Sequence, residues 1–314
     1  MAAEREGTTV AVWKPEPGER YLARVPVCFA TGRARRVRGM RWFRDSDRRD
    51  IGGELPGWPA GPEFTVRAST DALWRSGLKG IAQVAGAVVL GVLTSQGGSV
   101  GGGSAVRRGS GTPQEPADEV EDFPVLWAPP GTVARTLPWQ LDPGRRDAKR
   151  YTTHAIITDR RWVIVGLPLN EKNAWAVEDE VLWEGPRRDL RRVEPRDFTT
   201  GDDVKIVFDD GSWCRLEVRT RPRVTRYLDP DLELLPLASL SPAHREQARE
   251  FEAESGCGPG SSFVTRNACG CLRIATVDGA RVSSWSGTAD TEIIVDADGT
   301  RLGPQEFHPS DFFT

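Results

Sequence analysis

The segment Val204-Lys-Ile-Val-Phe-Asp-Asp-Gly-Ser-Trp-Cys-Arg-Leu-Glu-Val218 can form a hairpin with one buried face in only one register. A two-residue loop pairs Phe208 with Trp213 and Ile206 with Arg215, which sets an apolar side chain against a charge. A three-residue loop, Asp209-Asp210-Gly211, pairs Phe208 with Ser212, Ile206 with Cys214 and Val204 with Leu216. Side chains alternate along a strand, so only this second register places Val204, Ile206, Cys214 and Leu216 on one face. It also puts Gly211 where the chain needs a left-handed residue to form a bulged turn. The segment predicts an antiparallel sheet covered on one side.

The same pattern extends outward in both directions. Ala155-Ile-Ile-Thr-Asp-Arg-Arg-Trp-Val-Ile-Val165 reads as two strands around Asp159-Arg160, and Val181–Trp183 as a short third. Glu19–Phe29 is a further strand whose Pro26 suggests a sheet edge, and Phe64–Val66 is another. Downstream, Ser241 suits a helix N-cap, Pro242 the first helical position and Gly256 the C-terminal stop. Ala243, Ala248 and Phe251 of that helix are expected to face a sheet. Residues 262–304 read as a β-meander, with turns expected at Val277–Ala280 and Asp296–Gly299 and the tail aromatics from Phe307 covering an edge. The fold class is therefore mainly β with α.

The 314 residues, with 33 Gly, 23 Pro and only 38% apolar content, suggest modules joined by loose segments. The expected divisions are a β-rich region 1–77, an apolar Gly/Ala-rich helix 78–94, a flexible Gly/Ser/polar linker 95–122, a central domain 123–256, and a meander with tail 257–314. No charge occurs from Ile81 to Val106, but the apolar run is too short to span a bilayer, which needs about 20 residues. A helix over 79–93 either packs inside the protein or on a partner, or lies in a membrane interface. The five cysteines, 28, 214, 257, 269 and 271, are odd in number. No apolar leader follows Glu4, Arg5 and Glu6. Both features suggest reduced thiols in the cytoplasm.

The stretch Thr152-Thr-His-Ala-Ile-Ile-Thr-Asp-Arg-Arg-Trp-Val-Ile-Val165 resembles the T-x-R-R-hydrophobic hairpin of bacterial pleckstrin-homology-like and GRAM-like domains. Val181-Leu-Trp-Glu-Gly-Pro-Arg-Arg188 is similar to the strand that follows in that family, and Ile206–Trp213 to its F-x-D-G-S hairpin. The segment 241–256 stands where the family's closing helix belongs, so the resemblance covers residues 132–256. It implies an antiparallel sheet bent into a partly open barrel, capped at one end by that C-terminal helix. It also implies a non-catalytic scaffold that binds either acidic lipids or proteins. The lipid binders carry a basic loop between their first two strands, and Gly144-Arg-Arg-Asp-Ala-Lys-Arg150 occupies that place.

Candidate chemistry follows from these features. Arg145, Arg146, Lys149 and Arg150 offer guanidinium forks and an ammonium to an anionic head group. Arg187, Arg188, Arg191 and Arg192 extend the patch, diluted by Asp189 and Glu194. A second basic patch, Arg33, Arg35, Arg36, Arg38, Arg41 and Trp42, has the charge to meet phosphates but fits no known nucleic-acid module. With a net charge of −3, specific nucleic-acid binding is not expected. The expected partner is an anionic membrane surface, with the protein peripheral to it, or another protein. The alternative is a purely protein-interacting or structural module whose 79–93 helix docks on a partner. Cys257, Cys269 and Cys271 lack the paired spacing of a zinc site. The histidines 154, 244 and 308 belong to no catalytic motif, so no enzyme, cofactor or small-molecule substrate is expected.

Overall fold

The hairpin closes through the three-residue loop. In the computed structural model Val204 faces Leu216 and Ile206 faces Cys214, while Gly211 is left-handed at φ 82°. Residues 12–31, 42–61, 118, 120–198, 201–218, 220–258 and 260–308 are described. The expected strand Phe64–Val66, the apolar helix 79–93, most of the linker, and Arg33, Arg35, Arg36, Arg38 and Arg41 lie outside them.

The strands are β1 (Tyr21–Phe29), β2 (Trp42–Arg44), β3 (Pro124–Trp127), β4 (Tyr151–Thr158), β5 (Arg161–Pro168), β6 (Glu180–Pro186), β7 (Leu190–Phe198), β8 (Gly201–Phe208) and β9 (Trp213–Val218). Together they form one mixed nine-stranded sheet. Seven of them follow the spatial succession β6-β5-β4-β1-β9-β8-β7, and β3 and β2 continue from β9. Neighbours β6 and β7, joined by one short turn, do not pair among the described residues, so the barrel is not closed. The turn Asp159-Arg160 joins β4 to β5 as the sequence predicts, with Ile157 opposite Trp162.

Strand β1 corrects the edge placement suggested by Pro26. It lies in the interior of the sheet, pairing β4 through Pro26 and β9 from Val27 onward. The proline, which has no N–H to donate, sits where the strand exchanges one partner for the other. Strands β1 and β2 of the first 77 residues thus belong to the same sheet as the central domain.

Past β9 the chain forms helix α1 (Arg221–Tyr227), β10 (Leu234–Leu235), helix α2 (Pro242–Ser255), β11 (Ser262–Arg266), β12 (Leu272–Ser283) and β13 (Gly287–Val295). Strands β11-β12-β13 form the expected antiparallel meander, and β10, from before α2, joins its edge. Helix α2 has the predicted caps, with Ser241 accepting from the His244 N–H and Gly256 left-handed at φ 67°. Its packing differs from expectation. Ala248 and Phe251 join Val264, Leu272, Ile274, Ile293 and Val295 in a core of the second sheet, so α2 covers the meander and not the first sheet. Ala243 is exposed, and the buried neighbour is His244.

The helix that packs on the first sheet is α1, against β1, β7 and β8. Its Val224 and Tyr227, with Leu228 just beyond, are fully buried in the same apolar core as Phe29, Ile206 and Leu216. Two turns of helix among three arginines carry too short an apolar stripe to show in a periodicity reading. At the opposite end of β9, the 133–141 segment inserts Ala134, Leu137 and Leu141 into the same core and hydrogen-bonds the 209–212 loop through Asp210 and Ser212. The interior is filled by side chains, with Trp162 stacked at 6.1 Å on Phe208.

The meander holds a second correction. Val277–Ala280 is no hairpin turn. Strand β12 continues to Ser283 and is bulged between Val277 and Val282, and the turn falls at Ser284–Ser286. Asp278 Oδ1 accepts from the N–H groups of Ala280 and Arg281 at 3.0 and 3.2 Å, so its turn chemistry is satisfied within the bulge. The Asp296–Gly299 turn forms as predicted, with Gly299 at φ 90°. No helix among the described residues is long and apolar enough to cross a membrane.

Candidate functional site

The four cations expected to form an anion site are divided by the fold. Arg145 turns inward: Nε reaches Asp142 at 3.2 Å, a terminal nitrogen donates to the Pro59 carbonyl, and the guanidinium stacks at 5.2 Å from the Trp58 ring. Arg146 donates to the Tyr151 carbonyl. Lys149 and Arg150 alone face solvent, and Arg150 stands 3.8 Å from Asp147. A loop with two of its four cations used inside the protein is a weak anion trap. Of the second patch only Trp42 is described; it packs edge-on against Phe123 with Arg44 over its ring. Arg187 is also used internally, on the carbonyls of Thr158 and Asp229.

His154 and His244 are both held by hydrogen bonds within the fold. His154 is fully buried: Arg24 Nε donates to its Nδ1 at 3.0 Å, so the ring proton is on Nε2 and is donated to the Ser284 carbonyl at 3.0 Å. Burial, with the Arg24 charge beside it, holds this imidazole well below its ordinary range. His244 bonds Ser241 Oγ and the Asp296 carbonyl. No metal-binding group of three His, Cys, Asp or Glu occurs among the described residues. Cys257 and the Cys269–Cys271 pair fall at opposite ends of β11.

The feature that sequence reading missed is the β5–β6 loop, Leu169–Asp179. At its tip Trp175 is 61% exposed, the most exposed large apolar side chain described. Leaving an indole in water forgoes about 3 kcal/mol of burial. Yet the loop is firmly built. Asn170 Oδ1 accepts from the N–H groups of Lys172 and Asn173, and Asn173 Oδ1 from that of Trp175, each at 3.0 Å. Leu169 N–H donates to the Arg150 carbonyl at 2.7 Å, which lays this loop beside the basic one. Val177 is buried under the tip.

A buried polar circuit ties both sides of Trp175 to the two sheets. The Ala174 carbonyl accepts from the Ser284 N–H at 2.8 Å. Ser284 is held in turn by His154, and His154 by Arg24. Arg24 returns to the loop through a two-pronged pair with Asp179, at 2.7 and 2.6 Å, and Asp179 also accepts from the Trp13 N–H at 2.7 Å. Arg24 is 0% exposed and the Asp179 side chain 2%. The bulge in β12 completes the surface: its extra residues aim Arg281 at Trp175, with the guanidinium 5.9 Å from the ring centroid. On the loop itself the exposed charges are mixed, with Lys172 between Glu171 and Glu178. Val181, 51% exposed, follows on β6.

The sequence signal available was one tryptophan inside Asn170-Glu-Lys-Asn-Ala-Trp-Ala176, a polar loop between two strands. In comparison with known proteins, no family model matches the chain, and neither a curated protein nor a solved structure does.

Proposed function

We propose that this chain is a non-catalytic binding module that docks a protein partner through the face carrying Trp175 and Arg281. The observation that carries this reading is a tryptophan left in solvent by a loop anchored on both sides. Trp and Arg are the residues that most often dominate interface energies, and a pre-ordered loop avoids the entropy cost of fixing itself on binding. The mixed charge of the rim, and the internal use of Arg145 and Arg146, favour a protein over an anionic bilayer.

The scaffold reading goes with a pleckstrin-homology-like shell in a cytoplasmic protein. Support comes from the seven-strand succession, the gap between β6 and β7, and the helix directly after the last strand. In this reading α1 is the stopper, and α2 belongs to an added module.

Co-sedimentation of the full chain with anionic and neutral vesicles, beside affinity capture from the source cell, tests the proposal. The expected result is no vesicle binding at low salt, and a captured protein lost from Trp175→Ala and from Arg281→Glu. Binding to anionic vesicles that disappears in Lys149→Ala/Arg150→Ala would replace the protein reading by the lipid one.

A further inference from the structure

The turn between β11 and β12 is Asn267-Ala-Cys-Gly-Cys271. It is built like the 208–212 hairpin. Asn267 N–H donates to the Cys271 carbonyl at 2.9 Å, Gly270 N–H donates to the Asn267 carbonyl at 2.9 Å, and Gly270 is left-handed at φ 93°. Asn267 is itself buried and held by Arg273 Nε at 3.3 Å, so the base of the turn is fixed. At the tip the Cys271 N–H points at Cys269 Sγ, 3.4 Å away. Cys269 is exposed and Cys271 partly so, whereas Cys28 and Cys214 are buried in the first sheet. None of the five is in a disulfide.

Two Cα–Cα links of about 3.8 Å, folded to roughly a right angle, bring residues two apart to about 5.4 Å, within the span a disulfide bridges. The left-handed Gly270 puts a sharp bend between the two cysteines, and the Cys271 N–H stands 3.4 Å from Cys269 Sγ. An exposed thiol with a second thiol poised to resolve it is the arrangement of a redox-responsive pair. A bond closing so short a loop adds little to the stability of the fold, which suits a reversible switch better than a staple.

We infer that Cys269 and Cys271 form a reversible peroxide-responsive thiol pair. Cys269 sulfur, its proton lost to water, attacks one oxygen of hydrogen peroxide. The O–O bond breaks, Cys269 becomes a sulfenic acid, and hydroxide leaves to take up a proton as water. Cys271 sulfur then attacks Cys269 sulfur; the S–O bond breaks, and the departing hydroxide combines with the Cys271 proton as a second water. Two thiols and one peroxide thus give one disulfide and two waters. A dithiol reductant restores both thiols by exchange.

The test treats the full native chain with hydrogen peroxide, blocks remaining thiols by alkylation, and reads the Cys269–Cys271 peptide by mass spectrometry. The expected product is two hydrogens lighter, takes up no alkylating agent, and reverts with dithiothreitol. In Cys271→Ser the oxidation stops at a Cys269 sulfenic acid that dimedone traps. In Cys269→Ser, the less exposed Cys271 is oxidised more slowly than Cys269 in the parent chain. Both variants alter only a surface turn. The inference fails if Cys269 of the parent chain goes on to sulfinic acid, or bonds Cys257 or a second copy, while Cys271 remains alkylatable.

Discussion

Asp179→Asn removes one charge from the centre of the circuit under Trp175 and leaves the shape nearly unchanged. The carboxylate accepts two charged hydrogen bonds from Arg24 and one from the Trp13 backbone. Neither partner of the ion pair has meaningful access to water, so solvent screening takes nothing off the cost. Removing one member of such a buried pair typically destabilises by about 3–5 kcal/mol, because the remaining charge has no counter-ion. That is a large part of the roughly 5–15 kcal/mol that holds an ordinary folded protein together. Replacing both members, as Arg24→Met/Asp179→Leu, removes the stranded charge and is expected to recover at least about half of that loss, the remainder reflecting His154 Nδ1 left without its donor. Urea titration followed by near-ultraviolet circular dichroism gives both values. A loss below about 1 kcal/mol for Asp179→Asn, with the double variant no better, would refute the argument that this pair anchors the loop.

Three further outcomes follow. His154 is neutral in the folded protein and titrates near pH 6.5 when unfolded, so below that value the unfolded chain binds the extra proton; stability falls as pH drops through the window beneath 6.5, by up to about 1.4 kcal/mol per pH unit. Urea midpoints at pH 7.5 and 5.5 read this, and His154→Gln should flatten that part of the profile. Gly211→Ala meets open space and costs only the left-handed backbone, about 1–2 kcal/mol, whereas a Cβ at Gly287 would stand 2.0 Å from the Arg24 carbonyl and should cost at least twice as much in the same melts. Trp175→Ala should leave the thermal midpoint almost unchanged, within about 0.5 kcal/mol of the parent stability, while abolishing partner capture.

The local features were legible because they rest on short-range chemistry. The Asp209-Asp210-Gly211 register follows from alternation and one left-handed glycine, and the ends of α2 from Ser241, Pro242 and Gly256. What could not be read was which elements meet. β1 pairs with β4 and β9, partners more than a hundred residues away, and no local pattern encodes that. The same holds for α2: Ala248 and Phe251 make an apolar face but do not name the surface it meets, which is the second sheet. Asp278-Gly279 carries the residues of a hairpin turn, yet the second sheet uses them inside a strand to turn Arg281 outward. The exposure of Trp175 was hidden because composition does not distinguish a loop tryptophan that folds inward from one held out by a buried ion pair beneath it.

A photo-crosslinking amino acid placed at the exposed position 172, beside Trp175 on the same loop of the full chain, addresses the docking face most directly in the source cell. One discrete protein adduct mapped to residue 172 is expected, absent when Trp175→Ala or Arg281→Glu is added and unaffected by Arg188→Glu, an exposed charge on the β6–β7 turn. A ladder of indiscriminate adducts, a lipid adduct, or a discrete adduct indifferent to Arg281→Glu would contradict it.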